Sequence, residues 1–336
     1  MFMLKVPRQN LAIFGRYLTT KSSVRIGCSS GFWGDSAFAS KQLISSGKID
    51  FLCMDFLSEI TMSLLYAAKM KKPEFGWVPD FVEYALGQGN LQELKSKNIK
   101  VVANAGGINV EGAIKAVREY CAKNGHPDVK VAGVIGDDLS AKMGEIREQF
   151  KDINGQDLPK AITSATAYLG AFPIAEALNK GADIVITGRC VDSALALGPL
   201  IHSFGWKNKD FDLLAQGSLA GHLIECGAQS TGGIFTDWEK VPHWENIGYP
   251  IADVQANGEF TLTKPPKTGG LVNIFTASEQ LVYEIGDPSS YELPDVVCDF
   301  SQVKIVQSGK DVVTVSGAKG RPPSDNYKVI VCNCIV

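Results

Sequence analysis

No CxxC pair occurs among the eight cysteines of this 336-residue chain. They stand at 28, 53, 121, 190, 226, 298, 332 and 334, mostly inside apolar runs, and the last two are spaced CxC. Such thiols read as small core hydrophobes in a reducing compartment. They offer neither a disulfide framework nor a cysteine-spaced zinc site. No apolar run approaches the roughly 20 residues of a membrane-spanning helix. Positive charge is not in excess: the net charge is −3, so the basic face of a nucleic-acid reader is missing. Neither GxGxxG nor GxxxxGK(S/T) is present. That removes the fingerprint of an NAD-dependent dehydrogenase and of a P-loop. What remains is ordinary globular material. At 45% hydrophobic and 21% charged residues, one large or two ordinary domains can form, and a homo-oligomer stays open.

Acid is also missing from the first 34 residues, where Lys5, Arg8, Arg16, Lys21 and Arg25 stand among Leu11, Phe14 and Leu18. A basic, acid-free, amphipathic start has the composition of a mitochondrial transit peptide, here residues 1–23, and points to the matrix. A frayed basic tail in a cytoplasmic protein is the plainer alternative. From Val24 a repeated grammar begins: a short apolar strand, a Gly- or Asp-bearing turn, a longer helical segment. Strands are expected at Val24–Cys28, Phe51–Met54, Lys100–Ala103, Val129–Ile135, Ala161–Ala165 and Asp183–Thr187. Strands alternating with helices imply an α/β fold with a mostly parallel sheet of βα units, doubly wound or, as the alternative, closed into a barrel. After residue 210 the style changes. Residues 211–336 read as a smaller α+β region, with hairpins at Asn257-Gly258 and at 302–316.

Ligands of an open parallel sheet collect outside the carboxyl ends of its strands. Read in order, those ends carry Ser29/Ser30, Asp55, Asn104, Asp137/Asp138, Thr166 and Arg189/Asp192. Each could be only a helix cap or turn residue. Together they would line one crevice. Asn104-Ala-Gly106-Gly107 could cradle an anion at a helix start. Gly136-Asp137-Asp138 could hold a divalent cation through its carboxylates, or be a capped turn. The guanidinium of Arg189 suits a carboxylate or phosphate, unless it merely pairs with Asp192. Lys264-Pro-Pro-Lys267-Thr-Gly269-Gly270 sets two lysines beside a glycine pair, as a phosphate-bearing ligand or a solvated turn would have it. On a helix, His222 would reach Glu225 at i+3 and Cys226 at i+4. Cys226 is then a candidate nucleophile, with His222, Glu225, Asp192 and Asp138 as proton carriers. The bland reading makes Cys226 a packed thiol and Gly227 the helix stop.

Several stretches resemble one family. They are Ser30-Gly-Phe-Trp-Gly-Asp35, Val102-Ala-Asn-Ala-Gly-Gly107, Gly136-Asp-Asp138, Ile186-Thr-Gly-Arg-Cys-Val-Asp-Ser193 and Ala220-Gly-His-Leu-Ile-Glu-Cys-Gly-Ala-Gln229. Asp237-Trp238, Lys264-Pro-Pro-Lys-Thr-Gly-Gly270 and Tyr283-Glu-Ile-Gly-Asp-Pro288 complete the set. From about Val24 to about Lys328 the chain is similar to the acyclic terpene utilisation protein A family. The resemblance implies a role in catabolism of acyclic terpenes or branched acyl-CoA thioesters, beside biotin-dependent acyl-CoA carboxylases. The family's reaction is not established, so no catalytic residue carries over. Residues 1–23 precede the family's usual start, and Val329–Val336 stops where members continue, so a truncated C-terminus is expected. The last hairpin would then lack sheet partners. The expected activity is proton transfer next to a CoA thioester, as in hydration, dehydration or C–C cleavage. A non-catalytic carboxylase partner, using the aromatic segment 234–249, is the rival.

Overall fold

The computed structural model describes residues 2–7, by backbone alone, and residues 22–332. The first part of the chain runs β1 (Phe2–Pro7), β2 (Ser23–Cys28), α1 (Ala39–Ser46), β3 (Phe51–Met54), α2 (Glu59–Lys71), a π-helical stretch (Phe81–Leu86), α3 (Asn90–Ser96) and β4 (Lys100–Ala103). It continues with α4 (Val110–Lys123), β5 (Val131–Val134), α5 (Met143–Gln149), β6 (Ser164–Ala167), α6 (Phe172–Asn179), β7 (Ile184–Thr187) and α7 (Ala194–Phe204). Then follow α8 (Phe211–Ile224), β8 (Ile251–Gln255), β9 (Phe260–Thr263), α9 (Ile274–Val282), β10 (Tyr291–Glu292) and β11 (Val297–Asp299). Last come β12 (Lys304–Gly309), β13 (Val312–Ser316), β14 (Lys319–Arg321) and β15 (Asn326–Cys332).

Nine strands form one open mixed sheet in the order β12-β13-β9-β8-β2-β3-β4-β7-β5. The five from β2 to β5 are parallel, and the other four join antiparallel at β2. The sheet keeps two free edges, β12 and β5, so it is not a barrel. Every residue of β3 and β7 is buried, because side chains alternate into two cores. Leu52, Met54, Val101, Ala103, Ile184 and Ile186 meet α1 to α4 on one face. Phe51, Cys53, Val102 and Val185 meet α6, α7 and α8 on the other. Local chemistry starts the helices. Ser58 caps α2 by accepting from Thr61 N, Asn109 caps α4 through Gly112 N, and Asn273 with Thr276 closes a capping box on α9. Helix α8 is buried without a break from Leu214 to Ile224, as a helix apolar all round must be.

Both hairpins expected from the sequence form, as β8–β9 and β12–β13. The second does not lack partners: Val313, Thr314 and Val315 pair with Leu262, Thr261 and Phe260. Residues after 211 both extend the main sheet, through β8, β9, β12 and β13, and build a small antiparallel sheet of their own, β10-β11-β14. The turn at 207–210 leads into α8, and the sheet continues across from β2 to β8. The strand expected at Ala161–Ala165 lies three residues later, as β6, and outside the main sheet. It pairs antiparallel with β15, which pairs on its other side with β1. The basic amphipathic stretch 8–21 lies outside the described residues. Among the described residues, no helix is long and apolar enough to cross a membrane.

The strand ends are level. Met54 pairs with Ala103, Ala103 with Ile186, and Val134 with Thr187. The following loops therefore share one rim. The strand order turns back at β7, which lies between β4 and β5. There α4 leaves toward one core and α7 toward the other. In open α/β sheets, ligands bind at such a point.

Candidate active site

Three strand ends lash themselves together first. The N–H of Asp55, after β3, donates to Ser30 O, after β2, at 2.9 Å. The Asn104 amide, after β4, donates to Asp55 Oδ1 at 2.6 Å, and its own oxygen accepts from Phe56 N at 2.7 Å. Asp55 and Asn104 are buried. Burial, then the neighbouring Asp192, push the Asp55 carboxyl well above the ordinary carboxylate range. Arg189 and the Asn104 amide oppose that rise without cancelling it.

Arg189 follows β7 and is only 4% exposed. Its turn is gripped from behind: the backbone N–H donates to Asp137 Oδ2 at 2.7 Å. Nη1 donates to Cys190 O at 2.9 Å and forms a short ion pair with Asp192. The guanidinium stacks on the Tyr168 ring, 4.3 Å from its centroid. The Tyr168 hydroxyl donates to Glu59 Oε1 at 2.6 Å. Burial opposes the charge on Arg189, but Asp192, Tyr168 and Asp55 outweigh it. The guanidinium stays charged. Its Nε is buried with no hydrogen-bond partner, a group left over by the fold itself.

The third contribution is the end of α8. His222 lies in its last turn, Glu225 caps it, and Cys226 stands just outside. His222 Nδ1 is 3.1 Å from Glu225 Oε1, and Nε2 is 3.2 Å from Leu281 O. A carbonyl can only accept, so Nε2 carries the hydrogen. Burial lowers the pKa of the ring and keeps it neutral. Nδ1 is then an acceptor, and Glu225 must bring the proton. The electrostatics agree: burial, Asp192 and Glu284 push the Glu225 carboxyl well above its ordinary range. The α8 end is seated by Gly31, whose α-carbon has room for no more. A Cβ there would lie 2.6 Å from the carbonyl carbon of Cys226.

Six residues named from the sequence thus come together from four separate segments: Asp55, Asn104, Arg189 with Asp192, and His222 with Glu225. Each bonds to another of the set or bears on its charge. The family model for acyclic terpene utilisation proteins, AtuA, matches residues 24–334. The chain belongs to that family. No curated protein and no solved structure matches it.

Other candidates in this AtuA-family chain serve differently from the sequence expectation. Cys226 sits at a helix C-terminus, and burial together with Glu225 drives its thiol upward, the reverse of what a thiolate nucleophile needs. Asp138 is exposed and caps a turn at Ser140 N, 2.9 Å away. Asp137 is buried behind Arg189, and burial raises its carboxyl to about 6. Among the described residues, no three His, Cys, Asp or Glu come together as metal ligands could. The glycine loops do not turn donors toward a ligand. Gly106 N donates to Thr187 O and Gly107 N to Asn104 O. Gly269 N donates to Asn246 O and Gly270 N to Pro242 O, while Lys267 is exposed on that loop. These glycines let backbones approach rather than cradle an anion. Arg189 already has its anion in Asp192.

Three groups at the site were not singled out from the sequence. Tyr168 stacks on Arg189 and is itself held by Glu59. Tyr291 faces His222 with ring centroids 6.2 Å apart. A tyrosine just past a strand and a glutamate in a helix's first turn are common features, so neither raised a signal.

Proposed function

We propose that the chain is an enzyme of acyclic terpenoid catabolism, moving protons beside the carbonyl of a CoA thioester. One observation carries this reading: the His222–Glu225 bond, in which the carbonyl of Leu281 fixes the tautomer and leaves the proton on the carboxyl. A protonated carboxyl beside a second ion-paired one, Asp192, is an acid and a base at a single crevice. Hydration, dehydration or C–C cleavage next to a carbonyl needs those two roles. Asp192, a third exposed at its side chain, is the member open to solvent. Asn104, Asp55 and Tyr168 hold the others in place. The adenosine and phosphates of CoA would remain outside, since the buried groups are mostly acidic. The basic start of the chain suits a matrix location.

The test is incubation of the purified full-length protein with branched and acyclic terpenoid CoA thioesters, followed by product mass. Turnover lost in His222→Ala and in Glu225→Gln is expected. No product from any thioester with the wild-type protein would end the reading. A second reading, a non-catalytic partner of a biotin-dependent acyl-CoA carboxylase, draws on the exposed Trp238 and Trp244, 61% and 42% accessible. A stable stoichiometric complex without turnover by the chain itself would favour it.

A further inference from the structure

The main sheet keeps two free edges, and only β12 is blunted. There the register breaks between Gln307 and Gly309, and the Gln307 amide donates to the carbonyls of Gly309 and Val312 at 2.7 and 3.1 Å. Bulges and occupied edge groups discourage further strand pairing. The other edge, β5, carries no bulge. It runs in unbroken parallel register with β7 from Val131 to Val134, and no described strand lies beyond it. The carbonyls of Lys130 and Val134 face β7, so by alternation the backbone groups of Val131 and Gly133 face outward. Arg118 Nη2 donates to the Val131 carbonyl at 2.9 Å. The Val131 N–H and both backbone groups of Gly133 have no partner among the described residues, and Gly133 is exposed.

Helices flank this edge on both faces of the sheet, and each leaves a hollow. One, of about 330 Å³, lies between β5 and α6, against Lys130, Gly133, Pro173, Glu176 and Lys180. The other, of about 380 Å³, lies along α4, against Glu111, Ile114, Lys115 and Arg118. Ile114 leans so far over the edge that a Cβ on Gly133 would be 2.4 Å from its Cδ1. Ile135, next after the strand, is 66% exposed. An extended peptide would pair with the strand and leave both hollows open. A second copy brings its own α4 and α6 to the same two faces. The charges suit such a copy. Glu111 stands one turn before Ile114 and Arg118 one turn after it, and a twofold axis reverses that order, which sets acid beside base.

We propose that β5 pairs antiparallel with β5 of a second copy of this chain, about a twofold axis at Gly133, joining two nine-stranded sheets into one. Gly133 faces its own equivalent, and Val131 faces Ile135 of the partner subunit. Ile114 and Ile135 from each copy close the α4 side, with Glu111 against Arg118 of the partner subunit. The contact is isologous, so the pair closes on itself and does not grow into a filament. The side of this helix–sheet–helix stack, one α4 long, measures roughly 20 by 30 Å. Each copy then buries on the order of 600 Å², near the lower limit for a specific interface, which places dissociation in the micromolar range. The join also steadies the segment that leads through Ile135 and Gly136 to Asp137, whose carboxyl holds the Arg189 N–H. None of this depends on the functional reading above.

The test is sedimentation velocity of the full-length protein over concentrations from about 1 to 100 µM. The wild type is expected to pass from monomer to dimer within that range and to go no further. Ile135→Lys sets two ammonium groups at the centre of the contact and should raise the dissociation constant at least about tenfold. Glu111→Arg opposes base to base and should weaken the dimer several-fold. Val306→Lys, on the β12 edge and 58% exposed in the wild type, should leave dimerisation unchanged. Thermal melting confirms that each variant is folded, and Glu111→Arg stands in if Ile135→Lys is not. A wild type that stays monomeric at the highest concentration would overturn the proposal. So would a dimer unmoved by Ile135→Lys in folded protein, or one lost only in Val306→Lys.

Discussion

The carboxyl of Asp137 offers the sharpest quantitative test of the site's foundations. It is 4% exposed, accepts the Arg189 N–H at 2.7 Å, and has its pKa raised by burial from 3.8 to about 6. A carboxyl that holds its proton more tightly when folded stabilises the fold at low pH. That contribution is lost as pH rises from the unfolded value through the folded one. Asp137→Asn keeps the accepting oxygen and cannot ionise. Two pKa units correspond to about 3 kcal/mol. Relative to its own value below pH 4, the variant should therefore gain on the wild type by about 1.5 kcal/mol at pH 5 and about 3 kcal/mol above pH 7. Urea unfolding of both proteins at several pH values reads this difference directly, because effects shared by the two chains cancel. A difference that does not vary with pH would refute the burial argument. So would a wild type that gains on the variant as pH rises.

Other consequences can be checked with the same material. Gly31→Ala places a methyl 2.6 Å from the Cys226 carbonyl carbon; a loss of about 1–3 kcal/mol in denaturant unfolding is expected, and a neutral change would mean that the α8 end is not seated there. Tyr168→Phe gives up one hydrogen bond to Glu59, about 1 kcal/mol, whereas Tyr168→Leu also gives up the stack on Arg189, about 1 kcal/mol more; equal melting of the two variants would dismiss the stack. The His222 ring should show one protonated and one bare nitrogen by NMR, unchanged from pH 6.5 to 8. Its lowered pKa also means that this group withdraws stability only as pH falls below about 6.5, where the unfolded ring takes up a proton. A cationic ring at pH 7 would remove the proton from Glu225 and with it the acid of the mechanism.

Much of this was legible in the residues. Phe51–Met54 and Lys100–Ala103 announce themselves as buried strands because each is a short apolar run stopped by a polar turn. Asp55, Asn104 and Arg189 could be placed on one rim because parallel strands end level. Sheet membership was not legible. Ser164–Ala167 looks like another parallel strand, yet it pairs with β15, whose residues stand far along the chain. Periodicity says which way side chains point and nothing about which distant edge accepts them. The same limit hid Tyr168 and Glu59, which meet only because β6 and α2 converge. It also made the glycine loops look free to hold anions. Their N–H groups are claimed by carbonyls of Thr187, Asn246 and Pro242, partners with no local signature. The surroundings of Arg189 were hidden for the same reason, since Glu59 and Glu225 come to its neighbourhood from α2 and from the end of α8.

The backbone of Tyr168 is tied to Lys328 O at 3.0 Å, so one wall of the crevice is finished by a strand made about 160 residues later. At ordinary ribosomal speeds that interval is on the order of ten seconds or more. Through it the nascent chain can assemble β2, β3, β4 and β7 and bring Arg189 to their rim. The aromatic support beneath the guanidinium has to wait. The reactive groups of the crevice are thus kept from their working arrangement until β15 has been made.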